Sequence, residues 1–245
     1  MPPVLRVAPL GDAAVVVELG DRLDAHTSGR AARLAVALSE APLAGFVDAV
    51  PAMASVLVRY DPLAAAYDEV VAGVASVAGS GDEDTTRAAA PRRVILPACY
   101  DGDLGPDLDD LAAATGLNRD EVVALHAGAD YRVHMIGFLP GFAYMGAVAP
   151  ALRRARRPTP RVRVPARAVA VAGELTAVYP VASPGGWHVL ASVPVDMFSP
   201  HAEPPCLLAS GDTVRFEPVG RATYDELRAA WRSGDWTPTI EAGPS

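Results

Sequence analysis

Residues Ala177–Leu190, AVYPVASPGGWHVL, join short apolar runs through Pro and Gly at close intervals. The same pattern fills most of the chain after Asp130, as in VRVPA at 162–166, AVAVAG at 168–173 and DTVRF at 212–216. β-branched runs of this length, bounded by turn residues, are typical of compact β folds. We therefore predict that the second half of the chain forms a β-barrel or β-sandwich with ordered loops.

Before this β-rich part, the sequence alternates between strand and helix patterns. Asp61 and Pro62 are an N-cap residue and a first-turn proline, which predicts the start of a helix that runs to about Val77. Together these patterns predict a small α/β domain. Its other predicted elements are strands at 4–8, 13–19 and 54–60 and a helix at 26–39.

Two helices with clear start signals are predicted next. Pro106 begins the first turn of one helix, in which acids are favoured by the helix dipole, and Gly116 ends it. Asn118 and Glu121 predict a capping box at the start of the other, which ends near Gly128. The acids of the first helix are Asp107, Asp109 and Asp110, and the remaining predictions are a strand at 93–97 and a helix at 223–232.

The domain boundaries follow from composition. Residues 80–91 are small, polar and acidic, which is typical of a linker. They separate an N-terminal α/β domain at 1–79 from a β-barrel domain at 92–220, and a C-terminal helix and tail follow at 221–245.

The composition excludes several classes of function. All 21 basic residues are arginine, so there is no P-loop lysine, Schiff-base lysine or Ser-Lys pair. The formal net charge of -8 argues against a nucleic-acid-binding protein. No run approaches the ~18 apolar residues of a membrane span, and the first residues lack a signal-peptide pattern. We expect a cytoplasmic protein that binds neither nucleic acid nor membrane.

The cysteines and histidines predict no metal site. Cys99 and Cys206 lie far apart, and neither has a neighbouring Cys or His pair, so both are predicted to be free, buried thiols. None of the 5 histidines pairs with another at the spacing of metal ligands.

Three separated motifs carry a family resemblance. GFLPGFAYMG at 137–146, TAVYPVASPGGWHVL at 176–190 and LASGDTVRFEP at 208–218 occur in an order that resembles the allophanate hydrolase subunit 1 family, which includes KipI-type proteins and the B-type subunit of 5-oxoprolinase. The match extends to GDAAVVVELG at 11–20 and LGPDLDDLAAATGL at 104–117. The resemblance implies an α+β fold in which a small N-terminal α/β domain precedes a cyclophilin-like β-barrel domain.

The resemblance implies three alternative functions. The leading one is the B-type subunit of an ATP-dependent 5-oxoprolinase complex, a cyclic amide hydrolase that opens 5-oxo-L-proline to L-glutamate and is active only in complex. Its implied partners are a KipA/allophanate hydrolase subunit 2-type protein and a LamB/YcsF-type protein. The alternatives are a KipI-like inhibitor of a sensor histidine kinase and the carboxyltransferase component of a urea carboxylase-like system. ATP is the expected co-substrate, no metal or organic cofactor is expected in this chain, and no catalytic residue is assigned.

The first candidate site is the loop at 137–146. Its three glycines permit positive φ, and Pro140 fixes a bend, so an ordered loop can present Phe138, Phe142 and Tyr144. These rings are expected either to line a pocket, together with Pro140, or to plug the end of the barrel. The resemblance favours the pocket.

The second candidate site is the run from Ser183 to Trp187. Adjacent glycines, Gly185 and Gly186, can expose successive backbone N–H groups that bind an anion, although a plain β-turn gives the same pattern. Ser183 is predicted to bind substrate by a hydrogen bond, and Trp187 is predicted to contact it. Thr176 and Tyr179 precede this run and face either the pocket or the core.

The third candidate site lies among six arginines at 153–163, which could bind a phosphate or carboxylate bidentately. Arg161 matches the Pro-Arg position of the family, so Arg161 is predicted to bind the substrate as an anion contact, with Arg157 as a second anion contact. Arg153 and Arg154 are expected on a solvated face. Arg161→Ala is expected to leave folding intact and to abolish activity.

The sequence also departs from the family pattern. Relatives typically read PAGSVGIAG followed by QTG, whereas this chain reads PARAVAVAG at 165–173 and LTA at 175–177. If these residues line the site, the pocket is smaller and less polar than in the family. The changed residues are Arg167, Ala168, Ala170, Leu175 and Ala177.

Overall fold

A computed structural model describes residues 6–21, 24–80 and 92–242. The described residues form two compact units, one ending at residue 80 and the other beginning at residue 92. The predicted linker at 80–91 lies outside the described residues, except for the backbone of Ser80. Within the described ranges, no helix is both long and apolar enough to cross a membrane.

The N-terminal unit contains four strands and two helices. The predicted elements are present, with small shifts in their ends except at the start of the second helix, and a strand at 46–51 is added that the sequence analysis missed. The strands are β1 (Arg6–Pro9), β2 (Ala14–Glu18), β3 (Phe46–Pro51) and β4 (Ser55–Tyr60), and the helices are α1 (Ala25–Glu40) and α2 (Tyr67–Ser80).

The sheet of this unit is antiparallel throughout, in the order β1-β2-β4-β3, so the α/β prediction is corrected to a helix layer on an antiparallel sheet. Helix α2 begins at Tyr67 rather than at Asp61. The Asp61 carboxylate accepts from the Leu63 N–H at 2.9 Å, and its carbonyl accepts from Ala64 and Ala65. Asp61 therefore closes a separate turn before the helix.

The C-terminal unit is mixed α+β. Its three helices agree with the predicted ones, and its strands follow the broken apolar pattern of the sequence. The helices are α3 (Leu108–Thr115), α4 (Arg119–Ala127) and α5 (Arg221–Ser233). The strands are β5 (Arg92–Ala98), β6 (Asp130–Ile136), β7 (Ala143–Gly146), β8 (Arg161–Val164), β9 (Ala168–Ala172), β10 (Leu175–Val178), β11 (Ser183–Gly185), β12 (His188–Ser192), β13 (Thr213–Pro218) and β14 (Thr239–Ala242).

Eight of these strands form one mixed sheet in the order β12-β9-β10-β7-β6-β13-β5-β14. The β5–β13 pair is parallel and the other pairs are antiparallel. A closed barrel is not detected in the order of the described strands. One isolated bridge, formed by two N–H···O bonds of 2.9 Å between Cys99 and Ser192, links the end of β5 to the end of β12. Strands β8 and β11 form a separate two-stranded sheet.

The start of α4 is the predicted capping box, in which Asn118 and Glu121 exchange side-chain and backbone bonds of 2.8 and 2.9 Å. Gly116 ends α3 at φ +72°, a conformation that glycine adopts without strain. Asp107 precedes α3 but makes no capping bond, since its side chain turns away from the helix. Helices α3 and α4 pack on the large sheet and bury its main apolar core.

Candidate ligand-binding site

The connection between β6 and β7 is a tight aromatic turn. Leu139 N–H donates to the Gly137 carbonyl at 2.8 Å, which makes a three-residue turn centred on Phe138, whose φ is +68°. Gly141 has φ +80°, and an added Cβ would lie 2.9 Å from the Met197 carbonyl oxygen. The ordered loop predicted at 137–146 therefore spans only 137–142, because β7 begins at Ala143.

The turn gathers the aromatic side chains around Phe142. Its ring centroid lies 5.4 Å from that of Phe138, 4.9 Å from Tyr144, 5.2 Å from Tyr179 and 5.7 Å from Trp187. Phe142 is 1% exposed and Phe138 is 64% exposed. Phe142 is therefore packed into the core, while Phe138 lies at the surface.

These rings wall a cavity of about 250 Å³. Seven of the eleven predicted substrate-binding residues line it, and three lining residues were missed by the sequence analysis. The predicted seven are Phe138, Phe142, Tyr144, Tyr179, Gly185, Gly186 and Trp187, and the missed three are Arg156, Pro160 and Pro184.

The other four predicted residues lie elsewhere. Pro140 is exposed on the turn. Thr176 is fully buried, where its hydroxyl donates to the Ala170 carbonyl at 3.2 Å and lies 3.1 Å from His126 Nε2. The Ser183 hydroxyl is buried without a hydrogen-bond partner among the described residues. Arg161 is bound to an aspartate of the same chain.

That aspartate is Asp107, which is 1% exposed. Arg161 Nη1 donates to its Oδ2 at 2.7 Å and Arg161 Nη2 to its Oδ1 at 2.6 Å, while Arg157 Nη1 donates to Oδ1 at 2.8 Å. The Val189 N–H donates to Oδ2 at 2.6 Å. Burial alone would raise the pKa of Asp107, but the bonds from Arg161 and Val189 outweigh burial and hold it below its usual value. The predicted anion contacts thus bind a carboxylate of the protein itself.

The Ser183–Trp187 run is not an open loop. Ser183–Gly185 pairs with β8, and the Gly186 carbonyl accepts from the Arg157 N–H at 2.7 Å. The Tyr179 hydroxyl packs directly against Gly185, and the nearby Trp187 backbone N–H opposes the rise that burial causes in the pKa of Tyr179. A Cβ at Gly185 would overlap that hydroxyl. This glycine is therefore needed for the close approach of Tyr179, and the run forms one wall of the cavity.

Residues that depart from the family pattern lie beneath the cavity. Ala168, Ala170 and Ala177 pack with the aromatic rings in one buried cluster, and none of them lines the cavity. Arg167 has φ +71° and its Nη1 lies 3.3 Å from Asp196 Oδ1. The changed alanines therefore affect how the aromatic rings are packed, and they do not contact a ligand in the cavity directly.

Arg156 is the only charged residue among the three lining residues that the sequence analysis missed. It is exposed, lines the cavity and makes no ion pair with any carboxylate of the described residues. Burial raises the pKa of Tyr144 and of Tyr179, and the positive charge of Arg156 opposes both rises. Its guanidinium is therefore close enough to act on both phenols.

No group of three or more His, Cys, Asp or Glu side chains in the described ranges could hold a metal ion. Both cysteines are free thiols; Cys99 is buried, as predicted, while Cys206 is only partly buried.

Comparison with known proteins places this chain in a family. The family described as carboxyltransferase domain, subdomain C and D, matches residues 5–208. This chain belongs to that family. It is also homologous to the B-type subunit of 5-oxoprolinase, with 33% identity over 228 residues to the Bacillus subtilis (strain 168) protein, covering 89% of this chain and 95% of that one. Identity to the corresponding Escherichia coli O157:H7 protein is 36% over 210 residues, covering 85% and 94%. The predicted resemblance is confirmed.

Two proteins of known structure share the fold. The crystal structure of TTHA0988 has a TM-score of 0.73 and 39% identity over 84% of this chain, which spans 40% of that longer chain. Kluyveromyces lactis urea carboxylase has a TM-score of 0.82 at 18% identity over 97% of this chain, which spans 24% of that protein. At that identity, the second likeness shows the fold alone.

Proposed function

We propose that this chain is the B-type subunit of an ATP-dependent 5-oxoprolinase complex that opens 5-oxo-L-proline to L-glutamate. The observation that carries this proposal is the homology to the 5-oxoprolinase proteins of two bacteria, since it extends over most of this chain and nearly all of each relative. A KipA/allophanate hydrolase subunit 2-type protein and a LamB/YcsF-type protein are the proposed partners.

The aromatic cavity is the proposed contribution of this chain to the substrate site. The ring of 5-oxo-L-proline has two apolar methylene groups, which suit a wall of aromatic rings, and the closely packed rings keep bulk water away from the reacting amide. The proposed substrate contacts are the seven predicted residues that line the cavity. Arg157 and Arg161 have an indirect role in this proposal, because both are bound to Asp107.

ATP makes chemical sense as the co-substrate. A lactam is a stable amide, and transfer of the γ-phosphoryl group of ATP to its oxygen, which releases ADP, would make the ring carbon a better electrophile for water. Collapse of the tetrahedral intermediate then breaks the C–N bond and leaves a free amine and an acyl phosphate. A second water hydrolyses the acyl phosphate to the carboxylate and phosphate. The cavity of about 250 Å³ is smaller than the usual range of about 300–1,000 Å³ for ligand pockets. We therefore propose that a partner protein supplies the nucleotide site and completes the substrate pocket.

The large sheet is proposed to be the cyclophilin-like barrel of the family. The support is the Cys99–Ser192 bridge, which joins β5 to β12 across the gap in the sheet order. Slow amide hydrogen exchange is expected at both residues, because each N–H is bonded to the other residue's carbonyl. Exchange at the rate of an exposed loop would contradict closure through this bridge.

The decisive experiment is reconstitution. The chain is co-expressed with the two proposed partners, the complex is purified, and 5-oxoproline-dependent release of phosphate and glutamate is measured. Coupled release in equal amounts is expected. A stable complex without this turnover would overturn the proposed function.

The family description supports a second candidate, a carboxyltransferase role. Since the chain contains no lysine, biotin would have to be carried by another protein. Avidin inhibits biotin-dependent transfer, so avidin-sensitive activity of the complex would favour this candidate over 5-oxoprolinase.

A further inference from the structure

Arg156 combines two properties that no other arginine of its segment combines. Arg154, Arg156 and Arg163 make no ion pair with a carboxylate of the described residues, and of these three only Arg156 lines the cavity. Arg153 pairs with Glu174 at 2.5 Å, and Arg157 and Arg161 share Asp107. In the described part of the chain, Arg156 has no such carboxylate, although it stands on the wall of the aromatic cavity. An unpaired guanidinium beside apolar rings favours a ligand that brings its own negative charge.

The backbone on both sides of Arg156 is held in place. The Ala155 carbonyl lies 2.9 Å from His188 Nε2, and since a carbonyl can only accept, Nε2 carries the proton. The Arg157 N–H donates to the Gly186 carbonyl at 2.7 Å, and the Arg157 side chain is fixed by Asp107. Anchors at 155 and 157 therefore fix the backbone of Arg156, so that only its side chain has to be ordered when a ligand binds.

The surroundings of Arg156 define the class of ligand. Tyr144 and Tyr179 lie close enough to Arg156 for its charge to oppose the rise that burial causes in their pKa values. The rings of Phe142 and Trp187 form the apolar side of the same cavity. Such a site suits a small molecule with a carboxylate at one end and an apolar ring at the other. A nucleotide would exceed the volume of about 250 Å³ that this chain provides.

We propose that Arg156 binds the carboxylate of a small cyclic carboxylic acid and determines the specificity of the cavity for an acid over a neutral lactam. This inference rests on the proposed function, in which that acid is 5-oxo-L-proline. The Arg156 guanidinium donates to the carboxylate, while the ring lies against Phe142 and Trp187. Arg156 is thus a substrate-binding residue and takes no part in proton transfer.

The test compares two ligands that differ only in the carboxylate. Isothermal titration calorimetry on the assembled complex measures the Kd of 5-oxo-L-proline and of 2-pyrrolidinone, the same ring without the carboxylate. Arg156→Gln is expected to raise the Kd of 5-oxo-L-proline by about 10- to 100-fold, as for loss of a charged hydrogen bond. The Kd of 2-pyrrolidinone is expected to change by less than about 2-fold. Arg156→Lys is expected to restore part of the loss. Arg163→Gln is the matched control, because Arg163 is exposed in the same segment and does not line the cavity.

The outcomes separate this inference from the proposed function. If the wild-type complex turns over 5-oxo-L-proline and Arg156→Gln binds it equally well, the inference is wrong and the function stands. If the wild-type complex neither binds nor turns over 5-oxo-L-proline, the function fails, and the same variants are titrated with proline, 2-furoate and benzoate. Binding of any of these that requires Arg156 supports the carboxylate site, and the absence of any Arg156-dependent binding overturns it.

Discussion

Asp107 and Arg161 form a two-pronged ion pair across 54 residues of sequence, with N···O distances of 2.6 and 2.7 Å. The carboxylate is 2% exposed and the arginine side chain is 25% exposed. Arg157 and the Val189 N–H complete the shell of the carboxylate. A buried charge with four donors ties α3, the arginine segment and β12 together, which holds one wall of the cavity in place.

The first prediction concerns the stability of this pair. Arg161→Ala is expected to lower the free energy of unfolding by about 1.5–3 kcal/mol, because it removes two charge-assisted bonds from a buried carboxylate. Urea denaturation measures the change. Arg163→Ala, a matched exposed arginine two residues on, is expected to change stability by less than about 0.5 kcal/mol. Equal stability of the two variants would show that the pair does not support the fold, as the sequence alone suggested.

The second prediction uses two neighbouring glycines of the cavity. Gly185→Ala is expected to destabilise the protein by about 1–3 kcal/mol, because the new Cβ overlaps the buried Tyr179 hydroxyl. Gly186→Ala is the control, since its nearest neighbour would lie 3.6 Å away, an ordinary contact. Thermal unfolding and near-UV circular dichroism compare the variants. A Gly186 variant as unstable as the Gly185 variant would argue against this packing.

Local signals in the sequence predicted much of the fold. The Asn118–Glu121 capping box and Gly116 act within one helical turn, so their chemistry is visible in the residues themselves. The sequence analysis left the orientation of Thr176 and Tyr179 open, although residues three apart on a strand face opposite sides. In the structure Tyr179 joins the aromatic cluster, while Thr176 contacts buried His126.

The choice among the arginines could not be predicted in this way. The segment between Leu152 and β8 is irregular, so neither helical nor strand periodicity assigns a face to its side chains. Arg157 turns to Asp107, which lies 50 residues earlier in the sequence, and only this distant contact leaves Arg156 at the cavity. The Pro-Arg motif therefore indicated the segment that contributes to the cavity wall, but its arginine, Arg161, is bound to Asp107.

The third prediction concerns the strained turn at Phe138. Phe138→Gly is expected to be more stable than Phe138→Ala by about 1 kcal/mol, because only glycine adopts φ near +68° without strain. Both variants are expected to raise KM for the substrate of the complex, since both lose the exposed ring at the cavity. Denaturant unfolding and steady-state kinetics test the two effects separately. An alanine variant that equals or exceeds the glycine variant in stability would contradict the strain.

The fourth prediction concerns His126, which is fully buried, with Nδ1 2.7 Å from the Tyr100 hydroxyl. Burial lowers the pKa of His126 from 6.5 to about 3. Between these two pH values the unfolded chain binds a proton at His126 that the folded protein does not bind. The contribution of the neutral, buried His126 to the free energy of unfolding is therefore complete above pH 6.5 and is lost as pH falls towards 3. We expect a slope of up to about 1.4 kcal/mol per pH unit.

Urea unfolding of the wild type between pH 5 and 7 measures this slope. His126→Gln is expected to flatten it, while His188→Gln, which replaces a partly exposed histidine, is expected to retain it. NMR titration of the wild-type imidazole gives an answer that does not depend on how well a variant folds, because a ring with a pKa of about 3 shows no chemical-shift change over this range. A titration midpoint near pH 6.5 for His126 would show that water reaches the imidazole ring, and therefore that the ring is not buried in the core between α4 and the large sheet.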